Sequence, residues 1–246
     1  MATPMPEFLT EAWHTLVPRP DDRDGPLAPI MVLLTLVTGF VDSFSYLVLG
    51  HVFVANMTGN VVFSGFALAG SSQFSLLSSV VALLAFLAGA TYAGRVIRTR
   101  QEHRGQLLYR TVSIEFVLVA ASYFLAQFGP DPASGIKYVL IILLGLTMGV
   151  QNATARKLAI HDLTTTVLTM TITGIGADSR LAGTPGGKLG RRLLSILAMF
   201  LGALFGALFI LHGHAGDALL VPLVLLAAAT YTTERAATST AAWTSP

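Results

Sequence analysis

A carboxylate stands inside the first apolar stretch of this chain: Asp42, in Gly39-Phe-Val-Asp42. Burying an acid in a membrane span costs roughly 2.5–3.5 kcal/mol on insertion scales, so it is expected to face a cavity or a polar partner. There it could bind a cation or relay a proton. As a structural group it could instead cap helix ends or hydrogen-bond Thr58 or Asn60. Just beyond it, Asn56-Met-Thr-Gly-Asn60 makes a polar start to a short helix, with Gly59 allowing close approach. Free backbone N–H groups and the positive end of a helix dipole at such a start suit a ligand. Glu115 is a second acid within an apolar span. Snorkelling to the cytoplasmic interface, or pairing with an arginine there, is a sufficient explanation for it; a protonated Glu115 facing the cavity is the functional one. His51 and His161 titrate near neutral pH, which suits gating or proton transfer, although histidine is also commonplace at membrane interfaces.

These groups recur. A constant offset of 110 superposes Gly39 on Gly149, Asp42 on Asn152 and His51 on His161. The second copy runs on through Thr164, Thr165, Thr166, Thr169 and Thr171. In a membrane protein, interrupted apolar segments at matching places in two halves point to a transport site. The candidate substrate- or ion-binding set is therefore Asp42, Asn56, Thr58, Gly59, Asn60, Asn152, Thr165 and Thr169. His51, Glu115 and His161 are the candidate proton relays. The bland alternative is that these polar groups satisfy one another across the repeat interface.

What positions them is a membrane fold. The chain of 246 residues is 53% hydrophobic and 11% charged, with a mean hydropathy of +0.68. That composition fits an all-α polytopic membrane protein and not a soluble domain of this size. Apolar stretches of spanning length cover about 27–49, 74–94, 111–128, 136–155, 193–212 and 217–232. Two more, near 52–70 and 163–176, are interrupted by polar residues.

The placement of Lys and Arg decides whether those two cross. If all eight segments cross, Arg95, Arg98, Arg100, Arg104, Arg110, Arg156 and Lys157 share one side and the other eight basic residues the opposite side. If the two polar segments are re-entrant, only Lys137 of the fifteen lies outside. The expected fold has six crossing helices plus two re-entrant or broken half-helices, with both termini cytoplasmic. Three crossings then separate the copies, so they form an inverted repeat, with halves of about 27–128 and 136–232 in a single domain 27–232. Residues 1–26 carry acids and arginines without the apolar core of a signal peptide. Phe8, Leu9, Ala12, Trp13, Leu16 and Val17 recur there at helical spacing, as in an interfacial helix, and a disordered tail is the alternative. The Thr- and Ala-rich stretch 233–246 is expected to be disordered.

Small residues four apart, Ala85 with Gly89, Gly145 with Gly149 and Gly202 with Gly206, allow close helix packing. Packing within the chain is the plainer reading; a homodimer interface is the other. The basic loops 95–104 and 180–192 read as topology determinants, with anionic lipid headgroups as their alternative partners. Absence of cysteine excludes disulfides and thiolate chemistry. His212, His214 and Asp217 make too thin a pattern for a metal, and no cofactor is expected. The basic residues are few and scattered, so nucleic acid is not an expected partner; the lipid bilayer and a small solute or ion are.

The stretch Gly39-Phe-Val-Asp42-Ser-Phe-Ser-Tyr, followed by Val52-Phe-Val-Ala-Asn-Met-Thr-Gly-Asn60, resembles the hallmark of the YoaK-like family of bacterial membrane proteins, domain of unknown function 1275. A second hallmark resembles Gly149-Val-Gln-Asn152-Ala-Thr-Ala-Arg156 and the threonine run after it. The likeness covers about 28–230 and implies a bacterial inner-membrane protein. It carries over no catalytic residues. The reading that follows is a small secondary transporter or permease with a site near the midplane, not an enzyme. A membrane-embedded enzyme acting on a lipid-like molecule and a non-transporting assembly or sensor subunit are the competing classes. No Gly-x-Ser-x-Gly, no His-Glu-x-x-His and no paired carboxylates at catalytic spacing favour the enzyme.

Overall fold

The computed structural model of the protein describes residues 6–19, 22–99, 103–129, 135–160, 162–163, 165, 168–179, 182–183 and 188–244. Among them the regular structure is helical. The helices are α1 (Glu7–Leu16), α2 (Leu27–Val48), α3 (Met57–Leu68), α4 (Leu76–Thr99), α5 (Arg104–Phe128), α6 (Ile136–Leu158), α7 (Leu168–Ala177), α8 (Leu189–Leu211) and α9 (Leu220–Ala237). Short 3-10 turns lie at Asp217–Leu219 and Ala242–Thr244. Six of the helices are long and apolar enough to cross a membrane, whereas α3 and α7 are not. In hydrocarbon every backbone polar group must find its partner within the protein, and a helix does so residue by residue. Threonines enter these spans because their hydroxyls donate to the carbonyl one turn back, as Thr35 does to Met31, Thr38 to Leu34 and Thr147 to Leu143 (2.8–2.9 Å).

One end of the bundle fixes the order of crossings. Asp24, just before α2, pairs with Arg104 at the start of α5 (3.2 Å) and with Arg191 in the first turn of α8 (3.1 Å). Arg104 also donates to the last carbonyl of α6, at Leu158 (3.1 Å). The starts of α2, α5 and α8 and the finish of α6 therefore share one end, here called the basic end. The chain leaves α6 and enters α8 at that same end, so α7 does not cross. This is the six-crossing arrangement expected from the basic residues. Arg104, Arg191 and Arg192 also tie helix ends together, a role the reading of them as topology determinants omits.

The two most enclosed helices are α2 and α6. Each lies along a helix from the other half of the chain: α2 on α8, and α6 on α4. Glycine makes both contacts. A Cβ on Gly39 would strike the Met199 carbonyl, and one on Gly202 the Leu36 carbonyl. A Cβ on Gly149 would strike the Phe86 carbonyl, and one on Gly89 the Leu146 carbonyl. Ser43 adds a hydrogen bond across the first seam, to the Ala203 carbonyl (2.9 Å). The small-residue motifs thus pack within the chain. Leu84, Leu87, Phe200 and Leu211 instead turn outward from α4 and α8, as lipid-facing residues do.

α1 forms where the amphipathic spacing predicts it. Its Glu11 carboxylate accepts from the Gly190 N–H (3.0 Å), and Thr15 is buried against the bundle. Phe8, Leu9, Trp13 and Leu16 remain open, a face suited to an interface between water and lipid. The described part of the C-terminal stretch, 233–244, differs from expectation. α9 continues to Ala237, and the following 3-10 turn sets Trp243 against Gly25 while its carbonyl accepts from Arg104 (3.4 Å). Packing of the half-buried indole against the core and the attachment to Arg104 give structure to residues that composition alone marks as loose.

The glycine seams give a direct test. Gly149→Ala should lower the melting temperature of the detergent-solubilised protein, because two helix backbones must separate; overpacking of this kind costs about 1–3 kcal/mol. Gly65→Ala, whose Cβ meets nothing within 4 Å, should leave it equal or higher. Equal melting temperatures for Gly149→Ala and wild type would show that the seam is loose.

Candidate functional site

Asp42 sits six residues before the end of α2, about 9 Å down the helix axis. Its Oδ1 accepts from the N–H groups of Val54 (3.2 Å) and Ala55 (3.0 Å). After leaving α2 the chain therefore doubles back to the depth of Asp42, and α3 climbs outward again from there. Val54 and Ala55 are both buried, so their N–H groups need an acceptor, and the carboxylate supplies it. The expected bonds from Asp42 to Thr58 or Asn60 do not form. Asp42 Oδ2 has no hydrogen-bond partner among the described residues.

Asn60, fully buried in the first turn of α3, grips the next residue along. Its Oδ1 accepts from the Phe53 N–H (3.0 Å), and its Nδ2 donates to the Phe53 carbonyl (2.5 Å). Two side chains from two helices thus hold the consecutive backbone units 53, 54 and 55. Gly59 is small for a visible reason: a Cβ there would lie 2.8 Å from the Phe53 ring. Asn56 and Thr58 are open, and no side chain caps α3. Of the first-copy candidates, Asp42, Gly59 and Asn60 build the half-helix start; Asn56 and Thr58 line its open face.

Above this point the rings of Tyr46, Phe53, Phe63 and Phe74 stack in series, with centroids 4.9, 5.8 and 4.6 Å apart. His51 packs edge-on against Tyr46 (5.1 Å), in the left-handed backbone region at φ 56°. Its ring makes aromatic contacts at the end opposite the basic one, not hydrogen bonds, among the described residues.

In the second copy Asn152 donates to the Met148 carbonyl (2.8 Å) on its own helix. Thr165 is buried, holds a left-handed φ of 59° and has no partner for its Oγ1 among the described residues. A β-branched residue seldom adopts that conformation, and strain of this sort gathers at functional sites. Thr169 lies on α7 and is exposed. His161 lies outside the described residues, as do Thr164 and Thr166.

Glu115 departs from its expected place. It neither snorkels nor pairs with an arginine: it is 0% exposed, and among the described residues neither carboxylate oxygen has a partner. The snorkelling argument fails because Glu115 lies on the face of α5 turned to α6, where Thr111, one turn back, bonds Thr154 (2.7 Å). The sequence reading missed two further groups. Gln151, beside Asn152, is buried and donates to Thr38 (2.8 Å). Arg192 holds Asp162 (2.8 Å), Asp178 (2.7 Å) and the Gly174 carbonyl (2.5 Å), binding both ends of the α7 segment to α8. The Thr-x-x-x-Glu spacing in α5 was the available signal for the first cluster. Asp162 and Asp178 flanking a short apolar helix was the signal for the second.

Asp42→Ala strands two buried N–H groups, each costing about 1–3 kcal/mol, whereas Asp42→Asn keeps an acceptor oxygen. Thermal unfolding should therefore rank wild type and Asp42→Asn close together and Asp42→Ala well below. Asp42→Ala melting with wild type would remove the carboxylate from its structural role.

A model of the family described as "Protein of unknown function (DUF1275)" matches residues 30–232. The chain is 35% identical over 154 residues to the UPF0700 transmembrane protein YoaK of Bacillus subtilis (strain 168). That alignment takes in 61% of this chain and 65% of the relative, so the chain spans just under two thirds of the length of the relative it matches. No solved structure matches. The YoaK relationship and the six apolar helices make it a multi-pass membrane protein, and with the match over most of its length the chain belongs to the DUF1275 family.

Proposed function

We propose that this protein is a small secondary transporter or permease of the bacterial inner membrane, with both termini cytoplasmic. It would be built as two inverted halves, 27–128 and 136–232. The observation that carries this reading is the exchange of packing partners between the halves. α2 lies on α8 through Gly39 and Gly202; α6 lies on α4 through Gly149 and Gly89. Swapping the halves leaves that pattern unchanged, and the crossings of α2, α4 and α5 before α6 reverse the direction of the second half. Each half also has one short helix, α3 or α7, after its most enclosed helix. Inverted halves with broken segments at matching positions are the usual frame for alternating access around a central site.

The site would lie between the starts of α3 and α7, lined by Asp42, Asn56, Thr58, Asn60, Asn152 and Thr165. The aromatic stack over α3 and the Arg192 ion pairs beside α7 would serve as its two gates. The candidate lining holds no lysine or arginine. A cation, a neutral solute or a monovalent anion is therefore easier to accommodate than a multiply charged anion.

Two measurements test this. The chain has no cysteine, so single cysteines report without background. Ser72→Cys and His212→Cys should react with a membrane-impermeant thiol reagent from outside intact cells, and Lys188→Cys and Ser239→Cys should not; an internal Ser72 would overturn the topology. Purified protein should then be melted against a panel of small solutes, and those that stabilise it offered to proteoliposomes. The wild type should accumulate at least one of them, and Gly59→Leu should lose roughly tenfold or more in rate at equal reconstitution. Stabilising solutes that never enter the vesicles would overturn transport.

A further inference from the structure

Three buried oxygen atoms on α5 and α6 have no hydrogen-bond donor among the described residues. Two are the carboxylate oxygens of Glu115 and the third is Gln151 Oε1. Their residues are 0% and 1% exposed. Buried acceptors left unmatched are rare, and each calls for a specific cause.

Helix register places them together. Thr111 on α5 bonds Thr154 on the antiparallel α6. One turn along α5 is Glu115, and about one turn back along α6 is Gln151, so the acid and the amide stand level on facing stripes. The amide is oriented by its other neighbour. Thr38 of α2 gives its own proton to the Leu34 carbonyl (2.9 Å), so Gln151 approaches Thr38 with Nε2 and presents Oε1 elsewhere. Carboxylate, amide and the two threonine hydroxyls make an all-oxygen set contributed by two helices and braced by a third.

The charges around it lie at the ends of the helices. On α5 these are Arg104 and Arg110, the latter five residues and about 7.5 Å along the axis from Glu115. On α6 they are Lys137 at one end and Arg156 and Lys157 at the other; on α9, Glu234 and Arg235 near its finish; on the first 3-10 turn, Asp217. Asp42 is engaged with Val54 and Ala55. Tyrosines 46, 109, 123, 138 and 231 are the remaining titratable groups on these elements. Among the described residues no cationic group pairs with Glu115, so a negative charge there is open to one positive charge from outside the chain.

We propose that Glu115 and Gln151, with Thr111 and Thr154, bind one dehydrated monovalent cation, a proton or an alkali ion, where α2, α5 and α6 meet. One carboxylate suits a single charge; a divalent ion in oxygen ligands ordinarily takes more carboxylates. The site is separate from the half-helix starts. Under the transport reading it is where a coupling ion rests, and binding there can be measured whether or not the protein transports.

The test is thermal unfolding of the full-length purified protein, with sodium chloride replacing choline chloride at constant ionic strength, repeated over a range of pH. Ligand binding to the folded state alone raises the melting temperature by mass action. A rise in melting temperature with sodium identifies an alkali-ion site; without one, a rise as the pH falls that depends on Glu115 identifies a proton site, because a proton held in the folded state stabilises it at lower pH. In either case Glu115→Gln should abolish the response while Glu234→Gln, at an exposed acid near the finish of α9, retains it. Gln151→Met, which keeps the side-chain length but removes the amide oxygen together with the Nε2 bond to Thr38, should move the midpoint to roughly tenfold higher cation concentration, and serves as an independent arm if Glu115→Gln does not fold. The proposal is overturned if the wild type responds to neither cation. It is also overturned if the response survives Glu115→Gln unchanged, or if Gln151→Met leaves the midpoint where it was.

Discussion

Backbone N–H groups held at membrane depth outside a helix must find an acceptor, and at Val54 and Ala55 that acceptor is Asp42 Oδ1. Much follows from this constraint. Because the acceptor projects from the interior of α2, the chain has to double back to reach it. Because Asn60 then grips Phe53, α3 must start at the same depth. The result is a half-helix whose first turn is anchored by side chains and whose polar face, at Asn56 and Thr58, stays open. A single carboxylate oxygen thus sets where the fold is interrupted. Its other oxygen is left for whatever reaches that depth.

The seams between halves explain how a bundle with two incomplete helices holds together. Hydrophobic burial offers little in lipid, so association relies on close van der Waals packing. Gly39 with Gly202 and Gly149 with Gly89 bring backbones into contact that any side chain would forbid. Each half lends its outer helix to the other's central one, so neither half has a complete core by itself. At the basic end Asp24 joins three helix ends through Arg104 and Arg191, tying α2 and its partner α8 to α5, and through Arg104 to the finish of α6. Packing is thus strongest around α2, α6 and the basic end, while α3 and α7 hang from a few side-chain bonds.

How much of this the sequence discloses depends on the range of the interaction. The spans, the two non-crossing segments and α1 follow from local hydropathy and from the distribution of arginine and lysine, and all are found. Asp42 stands out because an acid in an apolar run is conspicuous. What it bonds to is less legible, since its partners are backbone groups twelve and thirteen residues on, and a backbone N–H leaves no mark in the sequence. Asp24 with Arg191 spans 167 residues, beyond any local pattern. Glu115 is misjudged because proximity to Arg110 suggests an interface, whereas the face of α5 it occupies is set by packing on α6. Gln151 is overlooked beside Asn152 for a similar reason: only the placement of Thr38 makes it central.

Two acids, then, sit within the membrane fold in opposite circumstances. Among the described residues Asp42 has two backbone donors and is not fully buried, whereas Glu115 has neither donor nor exposure. A charge that is hydrogen-bonded can remain in place through a conformational cycle. A buried carboxylate without a partner is costly whenever it is empty, which gives the protein a reason to bind a cation or to rearrange until it can. Asp42 and Asn60 are therefore suited to hold the frame, and Glu115 with Gln151 to respond to what enters it. Thr38 stands one turn before Asp42 on α2 and receives the Gln151 amide, so one hydrogen bond between α2 and α6 lies between the two acids.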